Sequence, residues 1–166
     1  SVGRNSLASN VSGIQNTAVG YQALHGNTAT NNTAMGYNAL LNNTTGTSNV
    51  AIGTNAQPSS TTATRNVAVG MNTLNACTDG SAQVAIGYGA MLSNTTGSSN
   101  VAIGYRAFDA STTSTNSVAI GDDALGATTT ASNNVGVGYH VLLSNTTGAS
   151  NTAVGFEALF SNTTSS

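Results

Sequence analysis

The feature that most constrains this chain is a glycine that recurs along its whole length. The step between successive copies is 17 residues, except for one step of 16 between Gly20 and Gly36. The recurring glycines are Gly3, Gly20, Gly36, Gly53, Gly70, Gly87, Gly104, Gly121, Gly138 and Gly155. Around most copies the sequence reads Asn-(Val/Thr)-Ala-(Val/Ile/Met)-Gly, often followed by Tyr, as in residues 100–105. Self-similarity at a fixed short period indicates a protein built from stacked repeats.

A unit of 17 residues predicts one turn of a β-solenoid. Helical solenoid repeats need about 33 residues or more, and β-branched residues at every second position, as in Val101-Ala102-Ile103, are typical of a strand. We therefore predict an all-β parallel β-roll of about ten 17-residue turns, forming a single domain over residues 1–166 that is a segment of a longer fibre. Each turn should hold a short strand, a bend at Gly, a second extended segment around Ala-Leu and a return loop. At ~4.8 Å per stacked turn, the rod would be roughly 50 Å long.

Equivalent residues of successive turns should form columns along the rod. We expect the Val and Ile columns to fill the narrow interior and the Ala column to lie on the opposite face of the strands, where small residues let another backbone approach. The Val and Ile residues are Val50, Val67, Val84, Val101, Val118, Val135, Ile52, Ile86, Ile103 and Ile120. The Ala residues are Ala51, Ala68, Ala85, Ala102 and Ala119.

An asparagine column precedes the strands. We expect it to form an amide ladder from turn to turn, interrupted by Gln83 and Ser117. Its members are Asn16, Asn32, Asn49, Asn66, Asn100, Asn134 and Asn151.

A longer period of 51 residues, three turns, separates the Asn-Thr-Thr-Gly segments that begin at Asn43, Asn94 and Asn145. Two interpretations stay open. The period records duplication of a three-turn block, or every third loop meets a distinct environment such as a glycan or a neighbouring strand.

The unit Asn-Thr-Ala-Val-Gly-Tyr-Gln-Ala-Leu of residues 16–24 resembles the head repeats of trimeric autotransporter adhesins. The segment Leu-Ser-Asn-Thr-Thr-Gly of residues 143–148 is similar to repeats of phage and large-virus tail fibres. The resemblance extends over essentially the whole chain. It implies a left-handed roll, a homotrimer around a common axis, an extracellular location on a cell surface or virion, and a role in attachment.

The composition argues against several other classes. Charged residues make up 5% of the chain, with no Lys and only Arg4, Arg65 and Arg106 as basic residues, so an electrostatic footprint for nucleic acid is lacking. No apolar run of about 18 residues predicts a membrane span, and neither an initiator Met nor a signal peptide is present. Cys77 is the single cysteine, which indicates a small loop residue or a thiol that links chains.

The acidic and histidine residues predict neither a catalytic site nor a metal or cofactor site. Asp122 and Asp123 are the only adjacent carboxylates; neighbouring strand residues point to opposite faces and are poorly placed to act as a pair, although calcium binding stays open. His25 and His140 fall at different repeat positions, which is typical of solvated loop residues. The chain is therefore expected not to be an enzyme.

Two sets of residues are candidates for contact with carbohydrate. One is an aromatic column, expected to stack along the rod or to offer ring faces to sugars, formed by Tyr21, Tyr37, Tyr88, Tyr105 and Tyr139 together with Phe156. The other consists of glycosylation sequons. We expect exposed acceptors in the 51-residue series at Asn43, Asn94 and Asn145, and sequons also occur at Asn10, Asn31, Asn42 and Asn162.

Three functions follow from these patterns. The leading interpretation is a structural fibre or adhesin shaft, assembled as a homotrimer or end-to-end polymer and able to present a surface to glycans. One alternative is an ice-binding solenoid, although the Thr residues are predicted to lie in irregular loops and not in one strict Thr-x-Thr column. The other is a glycan-cleaving tailspike, which would need two carboxylates brought together in a groove.

Overall fold

A computed structural model describes residues 1–166 as a coil of very short strands without any helix. Each of the nine strands has three residues. They are Thr17–Val19 (β1), Thr33–Met35 (β2), Val50–Ile52 (β3), Val67–Val69 (β4), Val84–Ile86 (β5), Val101–Ile103 (β6), Val118–Ile120 (β7), Val135–Val137 (β8) and Thr152–Val154 (β9).

The strands form one parallel sheet in the order of the sequence, β1 to β9. The register matches equivalent residues, so that Val50 pairs with Val67 and Val67 with Val84. The predicted parallel β-solenoid is thus confirmed. Nine strands enclose eight complete turns rather than about ten, because the first glycine register forms only an isolated bridge at Val2.

The two faces of the strands are the reverse of the prediction. The middle residue of each strand points inward and is buried, as Ala51 and Ala102 are, whereas the flanking Val and Ile residues lie outside and are at least partly exposed. The interior of a coil this narrow holds a methyl group at this position, in place of the isopropyl group of Val or the sec-butyl group of Ile. The prediction that Val and Ile fill the coil is therefore wrong.

The glycine column marks a bend that no other residue fits. Gly104 has φ of +143°, and a Cβ built on it would lie 2.2 Å from the carbonyl oxygen of Gly121 in the next turn. The close backbone approach expected from small residues is therefore made by the coil's own next turn, along the Gly column.

The Ala-Leu segment is a turn and not the second extended segment that the sequence predicted. Its leucines are fully buried with left-handed backbone, as at Leu24 (φ 53°) and Leu142 (φ 52°). Such a conformation costs a branched residue about 1–2 kcal/mol. The repeated backbone bonds hold it in place, for example Leu24 N–H to the carbonyl of Ala39 at 3.0 Å.

The asparagine ladder is confirmed. Asn49 N–H donates to Oδ1 of Asn32 at 2.9 Å, and Nδ2 of Asn49 donates to the carbonyl of Ala63 at 2.8 Å. The same pattern recurs along the coil, and it continues through Gln83 and Ser117, whose side-chain oxygens accept from the N–H groups of Asn100 and Asn134, so the predicted interruptions do not occur. The core of each turn therefore holds small apolar side chains, one large side chain and buried amides. Most of these amides are hydrogen-bonded, as buried polar groups require.

Candidate functional surfaces

The outer face of the sheet, which we call the Val/Ile face, consists of the first and third residues of strands β3 to β8. All twelve are β-branched aliphatic residues, and none is fully buried. Its members are Val50, Ile52, Val67, Val69, Val84, Ile86, Val101, Ile103, Val118, Ile120, Val135 and Val137. A continuous, partly exposed apolar strip of this kind is typical of a contact surface on a folded protein.

The aromatic column lies just beyond the Gly bend. Its tyrosines are between 38% and 52% exposed, and they form separate stacked pairs: Tyr21 on Tyr37 at 5.3 Å between ring centroids, and Tyr88 on Tyr105 at 5.4 Å. Tyr139 stacks on Phe156 at 5.2 Å. Stacking along the rod is therefore confirmed for these three pairs.

The return loops contain two regular threonine columns, contrary to the prediction of irregular Thr positions. In the first, Thr Oγ1 typically donates to the carbonyl of the equivalent Thr one turn on, as from Thr95 to Thr112 at 3.1 Å. Its members are Thr28, Thr44, Thr61, Thr78, Thr95, Thr112, Thr129, Thr146 and Thr163. The signal that could have revealed this column is the 17-residue spacing of these Thr residues.

The second threonine column lies beside the first and is exposed. Its members are Thr45, Thr62, Thr96, Thr113, Thr130, Thr147 and Thr164, with Asp79 in one turn. Apart from Thr62, whose hydroxyl donates to Asp79 at 2.6 Å, these hydroxyls make no hydrogen bond within the chain. The fold does not depend on them, so they are available to a ligand or to ordered water.

The expectation of exposed sequons at Asn43, Asn94 and Asn145 is wrong. All three asparagines are fully buried. Nδ2 of Asn43, the atom to which a glycan would be attached, donates to the carbonyl of Gly46 at 2.8 Å, and Nδ2 of Asn145 donates to that of Gly148 at 2.8 Å. The 51-residue period therefore reflects which side chain fills the interior of each turn. This weighs against the interpretation that every third loop meets a distinct environment.

Among the sequons of this chain, exposed asparagines occur at Asn31 and Asn42. Both lie in return loops rather than in the three-turn series.

Four of the eight charged side chains lie in the turns after β6 and β7. Arg106 binds the carboxylate of Asp109 through Nη2 at 2.7 Å and Nε at 2.8 Å, and its Nε lies 3.9 Å from Asp123. This hydrogen bond with Asp109 raises the pKa of Arg106 above its usual value. Burial, opposed by Arg106, raises the pKa of Asp123.

Asp122 and Asp123 lie in a turn. The prediction that they are neighbours in a strand is therefore wrong. Asp122 is exposed in the aromatic column, and Asp123 is beside Arg106 and 3.8 Å from Nε2 of His140. His140 also stacks on Tyr139 at 3.7 Å, while His25 lies in a distant turn. The structure contains no group of three His, Cys, Asp or Glu residues that could hold a metal ion.

Cys77 occupies an interior position and not a surface loop. It takes the place of the asparagine of other turns, and its Sγ donates to the carbonyl of Gly80 at 3.4 Å. Burial raises the pKa of the thiol to about 12. A buried thiol in this state is a poor nucleophile, so the folded chain does not offer it for a bond between chains.

The structure contains no helix that could span a membrane. No protein family, curated protein or solved structure matches the chain.

Proposed function

We propose that the chain is a non-catalytic structural segment of an extracellular fibre, in which copies associate through the Val/Ile face. The uninterrupted apolar strip on the outside of the sheet is the observation that carries this proposal. Twelve β-branched side chains directed into water serve no purpose in an isolated coil, whose core is already complete without them.

The sequence resemblance adds the symmetry. A left-handed coil and three copies around a common axis would turn the three Val/Ile faces inward and join them into a second core. Each added turn lengthens both cores, since every turn contacts only its neighbours. The aromatic and threonine columns would remain on the outside as surfaces for attachment, including attachment to carbohydrate.

The test is the mass of the native assembly, measured by light scattering during size-exclusion chromatography. We expect three chains for the wild type and one chain for Ile103→Lys, which places a charge in the middle of the strip. Thr113→Lys, which adds the same charge on the exposed threonine column, should leave the mass unchanged. A monomeric wild type at micromolar concentration, or an Ile103→Lys variant that assembles normally, would contradict the proposal.

A second candidate function, binding to ice, is favoured by the two threonine columns. Equivalent threonines repeat at the spacing of stacked turns, ~4.8 Å, and the second column offers hydroxyls without partners in the chain. This regularity is what a surface that orders water requires. Thermal hysteresis measured on the purified protein is the test. Thr113→Lys should abolish it and Ile103→Lys should not, which is the reverse of the assembly experiment.

A further inference from the structure

The surface has one cavity, of about 200 Å³, in the turn after β5. It is lined by Asn72, Tyr88, Gly89, Leu92, Tyr105 and Arg106. The cavity exists because Gly89 has no side chain. Every other turn carries a side chain at the equivalent place, as Asn72 and Arg106 do in the turns on either side.

One wall of the cavity is apolar and aromatic. Tyr88 and Tyr105 stack with an angle of 12° between their ring planes and are about half exposed, and Leu92 is also exposed. Aromatic and aliphatic surface beside a few polar groups is the usual composition of a small-molecule site. It suits the C–H faces of a sugar ring.

The opposite wall supplies hydrogen-bond donors in fixed positions. Arg106 is held through Nε and Nη2 by Asp109, which is 7% exposed, so the remaining guanidinium N–H groups are free and oriented. The Nδ2 of Asn72 makes no hydrogen bond within the chain, while its Oδ1 accepts weakly from Asn55 at 3.5 Å. These groups match the oxygen acceptors of a ligand rich in hydroxyls.

The charge of the neighbourhood selects against an acidic ligand. The single positive charge of Arg106 is matched by Asp109, and Asp122 and Asp123 lie in the next turn. The cluster of these four residues therefore has a net negative charge. A carboxylate on the ligand would be repelled, whereas neutral hydroxyl groups would not.

We propose that the Gly89 cavity is a binding subsite for one neutral pyranose ring of a surface glycan. This inference rests on the proposed role in attachment, and it names the ligand class and the place. The cavity lies beside the Val/Ile face rather than on it, two residues beyond the Gly bend at Gly87.

The test is ligand-observed NMR saturation transfer and titration with glucose, galactose and mannose, with glucuronic acid as the charged counterpart. Binding of at least one neutral hexose is expected, with glucuronic acid binding at least ten-fold more weakly. Gly89→Asn fills the gap with the residue found at Asn38 and Asn55, at a backbone conformation that those residues already adopt. It should reduce affinity at least ten-fold and leave the unfolding temperature unchanged.

A matched variant tests whether the gap itself creates the site. Gln22→Gly opens the equivalent space beside the Tyr21–Tyr37 pair, where Asn38 stands in place of Arg106. It should add a second, weaker site. Unchanged binding by Gly89→Asn, preference for glucuronic acid, or no binding of any hexose would overturn the inference. The assembly mass, measured on the same samples, tests the fibre proposal separately.

Discussion

Several turns depart from the repeat in their interiors, and two of them show opposite outcomes. In the turn of β8, Gly136 replaces the inward Ala and Val141 replaces the next buried Ala. A Cβ on Gly136 would lie 3.0 Å from Cγ1 of Val141, so the loss of one methyl group makes room for the two that are gained. The two replacements therefore offset each other in volume within one turn.

The turn after β3 shows the other outcome. Gln57 replaces the buried Leu and Ser60 replaces the buried Asn. Neither the amide of Gln57 nor the hydroxyl of Ser60 has a hydrogen-bond partner, although both are fully buried. An unsatisfied buried polar group costs about 1–3 kcal/mol. The interior thus tolerates a change of volume that a contacting residue offsets, and it loses stability when polarity is left unmatched.

The glycine column is the limit of this tolerance, because its neighbour is backbone and cannot adjust. For Gly104→Ala, contact with the Gly121 carbonyl and the positive φ act together, and we expect a loss of about 3 kcal/mol or more. Chemical denaturation measures it. Gly155→Ala is the control, since Gly155 has φ of +128° but no stacked turn beyond it. Equal losses for the two variants would show that φ alone decides.

Removing the unmatched amide should stabilise the chain. Gln57→Leu restores the residue found at Leu40 and Leu74 in the adjacent turns, and we expect the free energy of unfolding to rise by about 1–3 kcal/mol. The reciprocal change Leu74→Gln should lower it by at least as much. A lower free energy of unfolding for Gln57→Leu than for the wild type would show that the buried Gln57 amide does have a hydrogen-bond partner.

The compensated turn predicts strong coupling between its two residues. Gly136→Ala alone overpacks against Val141 and should cost about 1–3 kcal/mol. Val141→Ala alone removes buried methyl groups and should cost about 1–2 kcal/mol. The double variant restores the repeat and should be close to the wild type. Chemical denaturation of the wild type and the three variants measures the coupling. If the losses of the two single variants simply added in the double variant, the idea that Gly136 and Val141 offset each other in volume would be refuted.

The stacking register could be predicted from the sequence, because a fixed period admits only one alignment of equivalent residues. The orientation of the strands could not. Alternation in Val101-Ala102-Ile103 identifies two faces without saying which is inside; the width of the coil decides this, and that width depends on the left-handed turn at Leu24 and its equivalents.

The candidate sites were harder to predict than the fold. Asn43 and Asn42 are adjacent asparagines in overlapping sequons, yet one is buried and the other exposed, since only Asn43 faces the interior amides. The cavity at Gly89 had no sequence signal apart from the absence of a side chain at one repeat position. The spacing of Arg106 and Asp109 in the sequence does not predict their ion pair, because it depends on the tight turn after β6.

A departure on the outside of the coil should matter least, because water screens it. Asp123 is in contact range of Arg106 and His140, yet its pKa is raised, so burial outweighs these partners. A carboxyl with a raised pKa favours folding when it is protonated and loses that contribution as the pH rises through its folded pKa. Asp123→Asn should therefore raise the unfolding temperature slightly at pH 7. The gain should disappear in acid, where both proteins carry a neutral side chain.

Thermal unfolding across the acidic range measures this effect, with Asp122→Asn as the exposed neighbour for control. A drop in stability of Asp123→Asn at pH 7 would mean that the pairs with Arg106 and His140 dominate. In that case the carboxylate of Asp123 would be matched electrostatically, just as the Gly136 turn is matched in volume, and the turn of Gln57 would remain uncompensated. The sign of this smallest effect thus decides whether compensation is confined to the interior of the coil or extends over its surface.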